Sequence, residues 1–146
     1  MFSFKYLYIP LYLTLLFFLS SCGKDEEITA IDNPKYVAVA FFDALYNEKD
    51  IKKAASVCDE KLSRLVLHYR TTSAVGRHLF NMSFDKVIVK PDESGVKVRE
   101  QFKGSTKITV YFDGYYNQGR VKDVKRISLV QKDGRWLIDK ILKDPF

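Results

Sequence analysis

Cysteine is scarce in this chain of 146 residues, which contains only Cys22 and Cys58. Two cysteines are too few for a cysteine-rich zinc site, and no spaced set of histidine, cysteine and glutamate typical of another metal centre is present. The residues just before Cys58 are mostly apolar, so we expect a small buried core residue there rather than a reactive thiol. The sequence therefore predicts neither a metal nor another cofactor.

Patterns typical of catalytic sites are equally scarce. His68 and His78 are the only histidines, and both fall where helices with a solvated face are predicted. Gly104 and Ser105 lack the lysine and the spacing of a phosphate-binding loop, and no Ser-His-Asp pattern can be traced. We therefore assign no catalytic residue and expect a protein that is not an enzyme.

The chain also lacks a block of charge of one sign. Its net charge is +6, from 24 basic and 18 acidic residues, and the two signs alternate along most of the chain. This alternation does not resemble a nucleic-acid-binding footprint, so no nucleic-acid partner is predicted. The positive excess either favours anionic partners such as phospholipid headgroups and lipopolysaccharide phosphates, or belongs to an ordinary solvated surface. With 47% hydrophobic and 29% charged residues, the composition is that of one globular domain.

The longest hydrophobic run lies at the amino terminus. Residues 1–21 combine Lys5, an apolar run from Tyr6 to Leu19, and small residues at the end. This run is shorter than the roughly 20 residues that a membrane-spanning helix needs. The segment therefore predicts a cleaved signal peptide for export.

The end of this leader, Leu19-Ser20-Ser21-Cys22, resembles the bacterial lipobox at every position. The resemblance implies cleavage before Cys22 by lipoprotein signal peptidase and a diacylglyceryl group on the Cys22 thiol. The protein would then be a cell-envelope lipoprotein, held to the membrane by palmitate-like acyl chains that contribute about 0.8 kcal/mol per buried methylene. The alternative is a plain secretory signal with an incidental cysteine.

Residues 22–33 are predicted to be a lipidated tether. Gly23 stands where enterobacterial inner-membrane lipoproteins tend to carry aspartate, so this resemblance favours the outer membrane over the inner membrane. Lys24-Asp25-Glu26-Glu27 is similar to the signal that sends some lipoproteins of the Bacteroidota to the cell surface. The same four charges are also what any solvated tether would show.

Residues 34–146 are predicted to form a single domain that begins with helices. Asn33-Pro34 is a typical helix start, and the apolar residues that follow recur with the helical period. This apolar face consists of Val37, Ala40, Phe41, Ala44 and Leu45. Asp50 and Asp59 are predicted to cap two further helices, the first burying Ile51, Ala54 and Ala55 and the second Leu62, Leu65, Val66 and Tyr69. The cluster at 71–73 is predicted to be a turn or another cap before a helix over 74–80.

The periodicity changes to two from Phe84 onward, which predicts strands. They are expected over 84–90, around Val96 to Phe102, around Ile108 to Phe112, over 121–130 and over 136–142. A turn is predicted at 91–95, a loop over 115–119 and a tight hairpin at Asp133-Gly134. Helices followed by an antiparallel meander predict an α+β layer structure.

Two segments support a family resemblance. Pro34 with Ala40–Tyr46, and Gly134–Ile141 near the end, are similar to the opening helix and closing strand of the nuclear transport factor 2-like superfamily. The resemblance covers about residues 34–142. It implies a strongly curved antiparallel sheet that wraps the long helix and leaves a cone open at one end. Members of the superfamily include ketosteroid isomerases, polyketide cyclases, dehydratases and many domains that only bind.

The resemblance also suggests where a ligand would lie. Asp113 is on the strand face opposite Ile108, Val110 and Phe112, together with Tyr111 and close to Tyr115 and Tyr116. If that face lines the cone, Asp113 and a tyrosine resemble the carboxylate base and phenol donor of the isomerases. Otherwise Asp113 begins a turn, and the three tyrosines are a ligand floor, an interface or ordinary sheet residues.

These observations favour a lipid-anchored envelope protein that acts as a non-catalytic binding or interaction module. Its partners would be the membrane, through lipid on Cys22, and an envelope protein or a small ligand. Two alternatives stay open: a small isomerase, cyclase or dehydratase with a carboxylate base in the cone, and a structural lipoprotein that supports the envelope.

Overall fold

A computed structural model describes residues 33–94 and 104–143 of the chain. The helices come first, as predicted, and the strands follow. The helical elements are α1 (Pro34–Tyr46), α2 (Ile51–Ser56), α3 (Glu60–His68), α4 (Thr72–Val75) and a π-helical turn (Gly76–Phe80). The strands are β1 (Lys86–Pro91), β2 (Ser105–Tyr116), β3 (Gly119–Lys132) and β4 (Arg135–Ile141). The protein is therefore an α+β domain.

Polar side chains begin each of the four α-helices. The side chains of Asn33, Asp50, Asp59 and Thr71 accept hydrogen bonds from backbone amides in the first turns of α1, α2, α3 and α4. These bonds satisfy donors that have no partner within the helix. The helix starts predicted at Asn33, Asp50 and Asp59 are confirmed. The helix predicted over 74–80 is present but begins two residues earlier, at Thr72, and its second half winds as a π-helical turn.

Helix α1 buries a wider face than its periodicity predicts. Phe41 lies inside as expected, but so do Phe42 and Tyr46, while Ala40 is only half-buried. The Phe42 ring makes edge-to-face contacts with Phe80 and with Phe112 of β2, at centroid distances of 5.1 and 4.8 Å. These aromatic contacts join α1, the π-helical turn and the sheet in one core.

The four strands form one antiparallel sheet in the order β1-β2-β3-β4. The hairpin at Asp133-Gly134 is confirmed, with positive φ at both residues. The loop predicted over 115–119 is wrong in extent, because β2 continues to Tyr116 and β3 already begins at Gly119. Asn117 and Gln118 both adopt positive φ, which gives a two-residue turn whose twist lets the two strands pair up to its edge.

Among the described strands, β1 lies at one edge of the sheet, and it begins two residues later than predicted. Pro91 is tolerated at its end because a proline lacks the amide that an interior strand would need. Gly114 faces Val87 across the β1–β2 pair, where an added Cβ would come within 2.9 Å of the Val87 Cα. The strand predicted around Val96 to Phe102 lies outside the described residues.

Alternation along the strands gives the sheet two different faces. The buried inner face includes Ile108, Val110 and Phe112 of β2 and Ile127 and Leu129 of β3. The helices pack on this face, with α1 contacting β1, β2 and β4. In the described ranges, no helix is both long and apolar enough to cross a membrane.

Two predictions about the helical layer have different outcomes. Leu65 was expected to be inward, but its side chain is 41% exposed because Leu62 and Val66 already fill the contact of α3 with the core. Cys58 is buried, as expected, where residues 57–59 run beside β4. There the Asp59 amide donates to the Ile138 carbonyl at 2.7 Å, and the Ile138 amide donates to the Val57 carbonyl at 2.9 Å.

Candidate functional site

Three neighbouring strands place nine side chains on the face of the sheet opposite the helices. Residues that lie opposite each other in register share a face. The three rows across β1, β2 and β3 are Lys86–Tyr115–Arg120, Ile88–Asp113–Lys122 and Lys90–Tyr111–Val124. We call these nine residues the outer patch. It contains three of the four predicted pocket residues, Asp113, Tyr111 and Tyr115.

The outer patch exposes three large hydrophobic side chains. The exposed fractions of Ile88, Tyr111 and Tyr115 are 60%, 50% and 55%. A shallow groove of about 340 Å³ lies on this face and is lined in part by Ile88, Lys90, Tyr111, Asp113 and Lys122. Tyrosine combines apolar area with a polar tip, so such a surface can contact a partner that is partly apolar and partly polar.

Asp113 is held by cations on the same face. Arg120 binds it through two hydrogen bonds, from Nε to Oδ1 at 2.8 Å and from Nη2 to Oδ2 at 2.6 Å. Lys122 Nζ lies 3.8 Å from Oδ2. The hydrogen bonds from Arg120, with the positive charge of Arg120 and Lys122, lower the pKa of Asp113. A general base in a pocket needs a raised pKa and a shielded position, and Asp113 has neither, so the geometry does not support the isomerase-like role.

The outer patch is positively charged. Its cations are Lys86, Lys90, Arg120 and Lys122, against the single carboxylate of Asp113. Arg120 and Lys122 are already close to that carboxylate, whereas no ion pair joins Lys86 or Lys90 to any residue that the structure describes. The patch therefore combines two unpaired lysines with exposed tyrosine and isoleucine side chains.

Tyr116 lies apart from the other two tyrosines because it continues the inner face of β2. It borders a second cavity, of about 250 Å³, between the end of α1, the α4 region and the start of β1. The polar side chains on its wall include Lys49, Thr72, Arg77 and Asp85. The predicted cluster of three tyrosines is thus divided between the two sides of the sheet.

Tyr46 also borders this second cavity, and sequence reasoning did not single it out. Its hydroxyl is enclosed and has no hydrogen-bond partner among the described residues. Burial, with the nearby charge of Asp123, raises the pKa of Tyr46. Tyr46 follows Phe42 by one helical turn, which is the signal that could have placed it in the core. Because the hydroxyl is covered, it is not positioned to contact a ligand in the cavity.

A buried lysine was also missed. Lys125 lies on the inner face of β3, two residues before Ile127, and its Nζ is 3.5 Å from Asp123 Oδ1. Side chains alternate between the two faces of β3, so Lys125 lies on the same face as Ile127 and Leu129. This spacing of two residues could have predicted its burial. The ion pair with Asp123 offsets part of the free-energy cost of burying the charge of Lys125.

The remaining candidates for chemistry are not arranged as a site. His68 and His78 are both exposed, with His78 stacked on Tyr69 at 5.4 Å. Burial raises the pKa of the Cys58 thiol to about 12, with a smaller contribution from Asp59, which keeps the thiol protonated and unreactive. Within residues 33–94 and 104–143, no three His, Cys, Asp or Glu side chains are grouped to hold a metal ion.

Comparison with known proteins gives no relative. No family model, no curated protein and no solved structure matches this chain.

Proposed function

We propose that this chain is a bacterial lipoprotein, anchored in the cell envelope through lipid on Cys22, whose domain binds an envelope component rather than catalysing a reaction. The leader and the lipobox-like Leu19-Ser20-Ser21-Cys22 support the anchor. The order of helices and strands supports a nuclear transport factor 2-like domain. Gly23 after the cysteine favours the outer membrane.

The observation that carries the binding role is the outer patch. Soluble domains usually cover large apolar side chains or scatter them singly, and a contiguous exposed group marks an interaction surface. Ile88, Tyr111 and Tyr115 are each at least half exposed on adjacent strands, in a regular part of the sheet. Regular strands hold these side chains in fixed positions, as a recognition surface requires.

The position of Asp113 does not favour the alternative of an isomerase-like enzyme. Asp113 faces solvent on the outer side and is bound by Arg120. Asp123 lies on the inner face of β3, opposite Phe112, with Lys125 Nζ 3.5 Å from its Oδ1. An isomerase-like activity that used Asp123 as its base would be lost in Asp123→Asn and unaffected in Asp113→Asn.

The anchor is tested by intact-mass spectrometry of the full chain, expressed with its own leader in a bacterial host. We expect a mature chain that starts at acylated Cys22, and accumulation of the precursor when lipoprotein signal peptidase is inhibited. Cys22→Ser should remove the acyl mass. A chain that is cut elsewhere and carries no lipid would contradict the anchor.

The binding surface is tested by photo-crosslinking in the same cells. Tyr111 is replaced by p-benzoylphenylalanine, and Tyr36 of α1, which is 60% exposed, is the matched control. We expect Tyr111→p-benzoylphenylalanine to crosslink an envelope component and the Tyr36 variant to give at least tenfold less product. Equal crosslinking at the two positions would contradict a binding role for the outer patch.

A further inference from the structure

We propose that the outer patch docks on anionic phospholipid headgroups, so that the anchored domain lies with this sheet face against the membrane. This inference rests on the proposed function and names the component that the patch binds.

The charge of the patch fits an anionic surface. Lys86 and Lys90 flank Ile88 on β1 and have no ion-pair partner among the described residues, while Arg120 and Lys122 offset the charge of Asp113. Each Lys or Arg near an anionic bilayer strengthens binding by roughly fivefold. The contribution is screened by salt, so docking should weaken as ionic strength rises.

The uncharged part of the patch fits the headgroup layer. Tyr111 and Tyr115 are exposed on the same face, and tyrosine is enriched at membrane–water interfaces because its ring is apolar and its hydroxyl is polar. Ile88 lies between the two lysines on β1, opposite Asp113 and diagonal to both tyrosines, where it can enter the boundary with the acyl chains. Lysine side chains can lie along such a surface with their charged ends at the headgroups.

The tether allows this face to reach the membrane. Residues 23–33 span at most about 36–40 Å when extended, whereas a domain of about 100 residues has a radius of gyration of about 13 Å. An anchor at Cys22 therefore holds the domain near the bilayer without preventing any face from turning toward it. Anchoring also raises the effective concentration of lipid at the patch, so weak contacts are sufficient.

A second copy of the chain is the less favourable occupant. A symmetric pair would place the outer patch against an identical one and bring the same positive excess together on both sides. Anionic headgroups supply the opposite charge instead. The charges thus favour a lipid surface over self-association through this face.

The experiment places one fluorescent label on the patch of the full acylated protein. Cys58 is buried and Cys22 carries lipid, so an introduced cysteine reacts alone. Ile88→Cys reports on the outer patch, and Tyr36→Cys, at a position with the same exposed fraction of 60%, is the control. Each labelled protein is reconstituted in vesicles of phosphatidylcholine alone or with about one third phosphatidylglycerol, and quenching by aqueous iodide is measured.

We expect iodide quenching at position 88 to fall at least threefold in the anionic vesicles, with little change in phosphatidylcholine and little change at position 36. Lys86→Gln with Lys90→Gln should restore most of the quenching. The charge-matched pair Lys52→Gln and Lys61→Gln, exposed on the helical side, should not. High salt should also restore most of the quenching, as Lys86→Gln with Lys90→Gln does.

Other outcomes overturn the inference and identify what is wrong. Equal quenching at positions 36 and 88 in both lipids means that the patch does not dock on lipid. Protection that grows with protein density, whatever the lipid charge, identifies a second copy as the occupant. Protection that appears only when envelope proteins are added agrees with the proposed binding role but shows that the partner of the patch is a protein and not lipid. A chain without acyl mass contradicts the anchor instead, and its labelled form can be added to the same vesicles to judge the patch separately.

Discussion

At the scale of single residues, the pairing of Asp113 with Arg120 determines what this aspartate can do. Two hydrogen bonds from one guanidinium occupy both carboxylate oxygens. The bound carboxylate keeps its charge and lies in solvent, which makes it a component of a charged surface rather than a proton acceptor in a pocket.

The first prediction concerns the pKa of Asp113. Arg120→Gln should raise it toward the ordinary value of 3.8, since the largest cause of its lowering is removed. Lys122→Gln should raise it less, because that Nζ lies 3.8 Å away rather than 2.6 Å. Carboxyl ¹³C titration by NMR measures both. An equal effect of the two variants would show that the pair with Arg120 is not the dominant contact.

The lowered pKa of Asp113 determines how the ion pair's contribution to folding stability changes with pH. The folded protein binds a proton at Asp113 less readily than the unfolded chain does, so the ion pair contributes to stability above the unfolded value near 3.8. That contribution is lost as pH falls through the lowered pKa. Because the pair is exposed, the effect on unfolding should be small.

At the scale of elements, β1 is joined to the end of α1 by hydrogen bonds between one side chain of the helix and the backbone of the strand. Asn47 Nδ2 donates to the Val87 carbonyl at 2.8 Å, and its Oδ1 accepts from the Val87 amide at 3.1 Å. The Asn47 side chain thus pairs with the backbone groups of Val87 as a neighbouring strand would, which protects the edge of the sheet.

We predict that Asn47→Ala lowers the free energy of unfolding by about 1–3 kcal/mol, because both Val87 groups lose their partner. Hydrogen exchange should show faster exchange of the Val87 amide. Asn47→Asp is the comparison variant: it keeps an acceptor for that amide, but it loses the donor and places a negative charge beside Asp43, whose Oδ1 accepts from Asn47 Nδ2 at 2.7 Å. If Val87 stays protected in Asn47→Ala, the edge is held by other contacts.

At the scale of the whole molecule, one aromatic group connects the helices to the sheet. Phe42 is fully buried and contacts Phe41, Phe80 and Phe112 at centroid distances of 5.0, 5.1 and 4.8 Å. These rings come from α1, the π-helical turn and β2. Loss of the Phe42 ring therefore weakens the packing between the helical layer and the sheet, and not the stability of one element alone.

Phe42→Ala should therefore lower the free energy of unfolding by about 3–5 kcal/mol, which corresponds to a fall of roughly 15–30 °C in Tm for a domain of this size. Tyr36→Ala on the same helix, where the side chain is 60% exposed, should change stability by less than about 0.5 kcal/mol. Thermal unfolding followed by circular dichroism compares the two. Similar shifts for both variants would contradict the packing described here.

Most of the local structure could be predicted from the sequence. The caps at Asn33, Asp50 and Asp59, the hairpin at Asp133-Gly134 and the two faces of β2 were predicted from a few neighbouring residues. For residues 71–73 the prediction left a turn and a cap open, and the structure shows that Thr71 caps α4. Such signals work because a cap, a tight turn or an alternating strand is stabilised by contacts within a short stretch of chain.

How those elements pack against one another could not be predicted from local sequence. Nothing local shows that Asn47 binds Val87, forty residues away, or that α1 covers the face of β2 carrying Phe112 and leaves Tyr111 and Asp113 in solvent. The same packing separates Tyr116 from the outer patch and turns Lys125 toward the core. These features depend on contacts between residues distant in sequence, where the total burial of apolar surface selects one arrangement from several that the local pattern allows.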